Sequence, residues 1–418
     1  MITQASAPPV VARRAWLGAG LALAAVGWGA NQFAPLIVMY EARLGLSAAV
    51  VDAMFAFYAL GLVPALLAGG RLSDRIGRGA VVRSALLVSF LATCLLMAGG
   101  HQTLLLYAGR FLAGAASGLA FGAGAAWIKE LSADAGDIAA GPRRATIAMT
   151  AGFAGGPLVA GACAQWLPSP EVTAYLPQLA VLIVVAGPAW RTPDPGRIDA
   201  SNGADPTTRV TGTSPQAGLA RHFLLVMLPF APWVFGTAAI ALAYLPVLAA
   251  PRAGHRELLF SALATGLTAL AGIAAQPLAR TARRLPPGRL LPASMALVLA
   301  GIGCAAWAAQ TLSLPLVLLA SAVLGVAYGI TQFAGLAEVQ RIADPRSLGS
   351  ATATYQALSY VGFAFPFLMS LAGSHWHLSP PTLLLLLLAV AAAAAGWLAI
   401  ADALPPGERQ PGSRRRRA

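Results

Sequence analysis

One side chain stands out for the chemistry it could do. Arg110 lies inside an apolar run, residues 103–128, seven positions after Thr103, or about 10 Å along a helix at roughly 1.5 Å per residue. An arginine in hydrocarbon needs a partner or a wet cavity, so by default it marks function; the structural alternative is an arginine bonded to carbonyls or snorkelling outward. It can hold an anion, or pair with a carboxylate whose proton affinity its charge alters. Glu41 and Asp52, at the outer ends of two other apolar runs, are the carboxylates that could form such a proton switch with it; read blandly, both are solvated helix ends. Uncharged groups in mid-run offer a second kind of site. Asn31, Gln32, Trp233, Tyr244, Tyr328, Gln332, Tyr355 and Gln356 are candidates to line a mostly apolar, weakly polar substrate cavity, although each singly also suits packing or interface anchoring.

Other chemistries lack their residues. Neither H-E-x-x-H nor G-x-S-x-G occurs, and His375-Trp376-His377 without further ligands is a poor metal site. Lys129, the single lysine, follows no P-loop glycines. Cys94, Cys163 and Cys304 all fall in apolar runs and read as packing residues. No catalytic residue, metal or cofactor is expected.

The elements that must position these groups follow from composition. Of 418 residues, 58% are hydrophobic and only 10% charged, with a mean hydropathy of +0.70. A soluble chain carries about 25% charged residues, so this is a multi-span, all-α membrane protein. Charged, Pro-rich and Gly-rich breaks leave twelve candidate spans: 16–40, 49–69, 80–99, 103–128, 145–166, 174–190, 222–249, 257–279, 290–310, 313–337, 348–372 and 381–401. The first is too long for a cleaved signal and reads as a retained span. The break at 191–221, with Pro193, Pro195, Pro206 and Pro215, has linker composition. It divides the chain into a six-span bundle (1–190), a linker (191–221), a second bundle (222–402) and a basic tail (403–418).

Charge orients the spans. With the N-terminus inside, 24 of the 28 basic residues fall in inside segments and three, Arg43, Arg252 and Arg256, outside. This positive-inside bias puts both termini in the cytoplasm. It also accounts for the net charge of +13 without nucleic acid, since no basic, aromatic-rich domain stands outside the spans. The tail, Arg414 to Arg417, reads as an inside segment beside anionic lipid.

Between the second and third spans runs Gly70-Arg71-Leu72-Ser73-Asp74-Arg75-Ile76-Gly77-Arg78-Gly79. Its four charges cannot sit in hydrocarbon, so the run is expected to be a tight surface loop, turning at Gly70 and Gly77. The pattern G-x-L-[AS]-D-R-x-G-R resembles the helix 2–3 loop of the major facilitator superfamily of transporters, with Gly79 where that family usually has a basic residue. The resemblance implies twelve helices in two pseudo-symmetric halves that rock around a midplane cavity lined by helices 1, 4, 7 and 10. It also implies a conformational latch, in which Asp74, with Arg75 and Arg78, meets the start of helix 11 near Ser347 in the outward-facing state. Arg110-x-x-x-Gly114-x-Ala116-x-Gly118 resembles the family's helix 4 motif, whose Arg is tied to proton coupling or substrate charge. Gly152-x-x-x-Gly156-Pro157-x-x-Ala160-Gly161 is a small-residue face on a bent helix. It resembles the helix 5 motif of family antiporters, notably drug/proton exporters, with Ala160 for a usual Gly. A weak repeat matches Arg110, Gly114 and Gly118 to Ser321, Gly325 and Gly329, and Leu72-Ser73-Asp74 to Leu278-Ala279-Arg280.

The reading is a monomeric secondary transporter of the inner membrane that works by alternating access. It exchanges protons for a small, partly apolar compound moving outward, with membrane lipids as its other partner. Uptake or facilitated diffusion of a small organic anion held by Arg110 is the alternative. A membrane-embedded enzyme is a further one, lacking its residues.

Overall fold

The computed structural model of the chain describes residues 14–134, 140–194, 215–275, 277, 289–343 and 348–403. Among them regular structure is helical throughout, with no strand. The helices are α1 (Trp16–Leu44), α2 (Ala48–Ile76), α3 (Arg78–Ala98), α4 (Thr103–Asp134), α5 (Ala140–Trp166) and α6 (Leu176–Arg191). After the linker come α7 (215–253), α8 (Glu257–Ala274), α9 (Leu290–Thr311), α10 (Leu314–Ile342), α11 (348–376) and α12 (Pro380–Ala403).

Eleven stretches of the described residues are long and apolar enough to cross a membrane. One of them, Leu219–Ala274, has 56 residues, about 84 Å of helix against a hydrocarbon core of about 30 Å. It folds back at Gly254, whose φ of +55° a side chain would disfavour. That break separates α7 from α8 and gives twelve crossings.

Prolines interrupt the helices within their lengths. Pro35 lies in a 3-10 turn of α1, Ala34–Leu36. The α7 ladder is irregular at Ala231, between Pro229 and Pro232, and widens to π-turns at Phe223–Met227 and Ile240–Tyr244, because a proline supplies no N–H and crowds the preceding turn.

Lipid tails are as apolar as leucine, so helices associate through close packing of small residues. A Cβ on Gly114 or Gly118 of α4 would overlap the carbonyl oxygen of Tyr58 or Leu62 in α2. In the second half, Gly325 and Gly329 of α10 stand in the same way on the carbonyls of Thr268 and Gly272 in α8. The weak sequence repeat is therefore a repeat of backbone register. Gly152 and Gly156 of α5 press on the carbonyls of Ala24 and Trp28 in α1, and Gly362 of α11 presses on Pro232 in α7.

The expected tight loop at 70–79 is corrected. α2 continues helically through Ile76, and α3 begins at Arg78. Only Gly77 breaks the ladder, at φ +95°. Gly70 is inside the helix, and a Cβ there would meet nothing within 4 Å. Arg71 and Arg75 are exposed, so the charges sit on protruding helix ends rather than demanding a loop. Leu278-Ala279-Arg280, Ser347, most of the linker (195–214) and the tail (404–418) lie outside the described residues.

Residues 71–78 lie at one end of the bundle, its arginine-rich end, opposite the far end. The halves meet towards the far end. Gly161 of α5 fits against Ala262 and Leu258 of α8. Gln165 Nε2 donates to the His255 carbonyl at 2.5 Å, and its Oε1 accepts from the Leu259 N–H at 3.3 Å.

Candidate functional site

At the arginine-rich end, the α2–α3 junction is tied to its own half. Arg78 pairs with Glu130 of α4 at 2.9 Å. The Gly79 N–H donates to Asp194 Oδ2 at 3.0 Å, just past α6. A Cβ on Gly79 would come within 2.9 Å of Trp127 and 3.0 Å of Asp194, which explains why no basic side chain stands at that position. Trp127 Nε1 donates to the Pro193 carbonyl at 2.8 Å, and Arg83 donates to the carbonyls of Ala189 and Thr192 at 3.2 and 2.7 Å. The side chain of Asp74 lies outside what is described. In the second half, Glu338 of α10 pairs with Arg341 and with His222 of α7, the latter at 3.0 Å.

Arg110 is 0% exposed. Its guanidinium carbon stands 4.5 Å from the ring centre of Phe33 (α1), 4.6 Å from Tyr58 and 5.7 Å from Phe55 (both α2). Nε and Nη1 donate weakly to the Met54 and Ala30 carbonyls at 3.4 and 3.5 Å. No carboxylate is among its described partners, and the groups that feel its charge are Tyr58, Tyr175 and Tyr40. The pairing with Glu41 or Asp52 envisaged from sequence is not present in this arrangement.

Asp52 has another partner. It is 5% exposed and accepts a hydrogen bond from the Ser370 hydroxyl of α11, in the other half. Glu41 is close enough to feel its charge, as is Tyr244 of α7. Deeper in, an aromatic plug spans both halves. Phe363 of α11 meets Phe55 and Tyr58 edge-on, at 5.1 and 5.9 Å between ring centres, and stacks on Phe235 of α7 at 5.3 Å. Phe235 also stacks on Tyr360 at 4.1 Å. Two of the rings that cage Arg110, Phe55 and Tyr58, thus also touch the opposite half.

The expected cavity residues separate into two sets. Asn31, Tyr328, Gln332 and Gln356 are half-buried. Asn31 donates to the Phe153 carbonyl at 3.5 Å, and Gln332 donates to Gln356 Oε1 at 3.1 Å. Gln32, Trp233, Tyr244 and Tyr355 are buried. Trp233 packs edge-on to Phe365 at 5.3 Å, Tyr328 lies tilted at 5.4 Å from Phe235, and the Tyr355 hydroxyl donates to the Thr331 carbonyl at 3.4 Å. Of the antiporter-type motif, Gly152, Gly156 and Pro157 lie within α5, where both glycines bind it to α1, while Gly161 reaches the other half. Sequence reasoning missed Glu130, Asp194 and Ser370. Each is one polar residue near a helix end or on a helix flank, and only the fold reveals its partner.

Twelve apolar helices in two halves of matching register, joined at one end around a central strip of polar and aromatic groups, define a secondary transporter rather than an enzyme. The chain belongs to the Major Facilitator Superfamily, whose family model matches residues 16–367. No curated protein matches the sequence. Similar solved structures share the fold. A mutant of the nucleoside transporter NupG has a TM-score of 0.72 at 13% identity, covering 93% of this chain and 99% of that one. The POT family transporter PepTSo has 0.74 at 12%, covering 93% and 97%. A D-xylose-proton symporter has 0.67 at 16%, covering 92% and 96%.

Proposed function

We propose that the protein exports a small, partly apolar, uncharged compound in exchange for protons, with its arginine-rich end and both termini in the cytoplasm and its far end outside the inner membrane. The observation that carries the proton exchange is the hydrogen bond from Ser370 to Asp52, a buried carboxylate of one half at the contact with the other. A carboxyl group is cheaper to bury neutral than ionised. Protonation from the outer side therefore favours meeting of the halves there, and loss of the proton favours parting.

The cargo assignment rests on the reachable amides of Asn31, Gln332 and Gln356, which offer donors and acceptors but no charge. Arg110 is walled in by rings, which argues against the anion-uptake reading. We assign it the role of holding Phe55 and Tyr58 where they meet Phe363. The outward direction rests on the α5 motif, whose Gly161 lies at the contact between the halves.

Flux into proteoliposomes under an imposed pH gradient tests the proposal. The compound is expected to move against a gradient acidic on the far-end side. Flux that ignores the gradient in both directions rules out antiport.

A further inference from the structure

Buried serines and threonines in this chain commonly donate to a carbonyl three or four residues back, as Ser117, Ser132, Thr268, Thr331 and Ser359 do. Among the described residues, three buried hydroxyls have no partner in the protein: Ser261, Thr265 and Ser321. Each is 0% exposed. They are not scattered. Ser261 and Thr265 are one turn apart on α8. Leu263 and Leu270, 46% and 51% exposed, mark the lipid side of that helix. Leu258, Ala262 and Gly266 face α5, while Thr268 and Gly272 face α10. At about 100° per residue, Thr265 falls between the α5 and α10 sides and Ser261 on the α10 side, both away from the lipid. Gly325 stands on Thr268 and Gly329 on Gly272. The same register puts Ser321 level with Ala264, beside Thr265.

The other half contributes a fourth group. Where a Cβ on Gly161 would lie, Pro35 Cβ of α1 is 3.5 Å away and the Leu258 carbonyl of α8 is 3.1 Å away. One turn from Pro35 towards the arginine-rich end is Gln32, 0% exposed, with neither amide atom partnered. α1 and α8 are antiparallel, so one turn the same way from Ala262 leads to Thr265. Ser321 is also the repeat partner of Arg110. Where the first half buries a cation among rings, the second presents hydroxyls.

We propose that Gln32, Ser261, Thr265 and Ser321 form a binding site for an uncharged, hydrogen-bonding head group of the transported compound, an amide or a hydroxyl-bearing group. All four side chains donate and accept without carrying charge. A buried ionised head would find no counter-charge there and would lose its hydration. Because the groups come from both halves, a head group paired with them is held only when the halves meet. The proposal rests on the transporter reading above and specifies its cargo.

The test uses benzamide, benzoate and benzylammonium, which share one ring and differ in head charge. Binding to the purified full chain is followed by equilibrium dialysis and by thermal shift, with no pH gradient, so the outcome is independent of the flux test for antiport. Benzamide is expected to bind at least tenfold more tightly than either ion. The triple variant Ser261→Ala, Thr265→Val, Ser321→Ala should bind it at least tenfold more weakly while unfolding at the wild-type temperature or above, since its hydroxyls have no protein partner to lose. Gln32→Leu, close in volume, should weaken benzamide similarly and serves if the triple variant does not fold. Absence of benzamide binding, preference for either ion, or unchanged benzamide affinity in the variants overturns the site. A folded triple variant that unfolds well below the wild type makes the hydroxyls structural and overturns it too.

Discussion

Gly70 and Gly77 belong to one charged motif, yet the structure separates them sharply. Gly77 has φ +95° and ψ 150°, a region that L side chains rarely adopt. Alanine there costs of order 1–3 kcal/mol in backbone strain. Its Cβ would also lie 2.5 Å from Asp194 Oδ2, displacing the carboxylate that accepts the Gly79 N–H. A hydrogen bond to a charged group is worth about 1.5–3 kcal/mol, so Gly77→Ala should destabilise by roughly 2.5–6 kcal/mol. Gly70, in regular helix with open space at its Cβ, should gain about 0.5–1 kcal/mol as alanine. Thermal unfolding of the purified variants should therefore rank Gly70→Ala at or above wild type and Gly77→Ala well below both. Combining Gly77→Ala with Asp194→Ala should be strongly non-additive, because the two share one contact. If Gly77→Ala unfolds with the wild type, or Gly70→Ala is the weaker of the two, the helical reading of this segment is wrong.

Arg110→Met should be less destabilising than Arg110→Ala, since lost cation–π contacts of about 0.5–2 kcal/mol at each of three rings are offset by relief of a burial cost of roughly 2.5–3.5 kcal/mol for the charge, whereas Arg110→Ala adds about 2–5 kcal/mol for the cavity; a denaturation series compares them. Asp52→Asn, which mimics the neutral carboxyl, should flatten the dependence of flux on far-side pH while retaining exchange, and Ser370→Ala should weaken that dependence only partly. Gly325→Leu should prevent folding, as its side chain would displace the α8 backbone at Thr268; expression monitored by size-exclusion chromatography checks this.

Much of the fold was legible because membrane spans announce themselves by length and apolarity. The repeat of Arg110, Gly114 and Gly118 at Ser321, Gly325 and Gly329 was visible, since glycines that admit a neighbouring backbone cannot readily be replaced. The surface loop at 70–79 was misread because charge excludes hydrocarbon but does not exclude helix, and α2 simply extends beyond the membrane. Arg110 was legible as a lone cation. Its cage was not, because Phe33, Phe55 and Tyr58 resemble any other aromatic residue in an apolar run. Asp52 and Ser370 lie 318 residues apart, and no local pattern marks a serine that will meet an acid across the molecule. Ser261, Thr265 and Ser321 look like routine helical hydroxyls until their missing partners are noticed.

The glycine stripes have a mechanical consequence. α2 lies on α4, and α8 on α10, backbone against backbone, with no intervening layer of side chains able to change rotamer. Closely packed contacts of this kind resist gradual deformation, so each half should act as a stiff beam. The joint between the halves is instead the aromatic plug of Phe55, Tyr58, Phe235 and Phe363, where side chains rather than backbones meet. A push of about one ångström at one end of a half is then delivered, undamped, to its other end some 30 Å away, roughly the thickness of the hydrocarbon core.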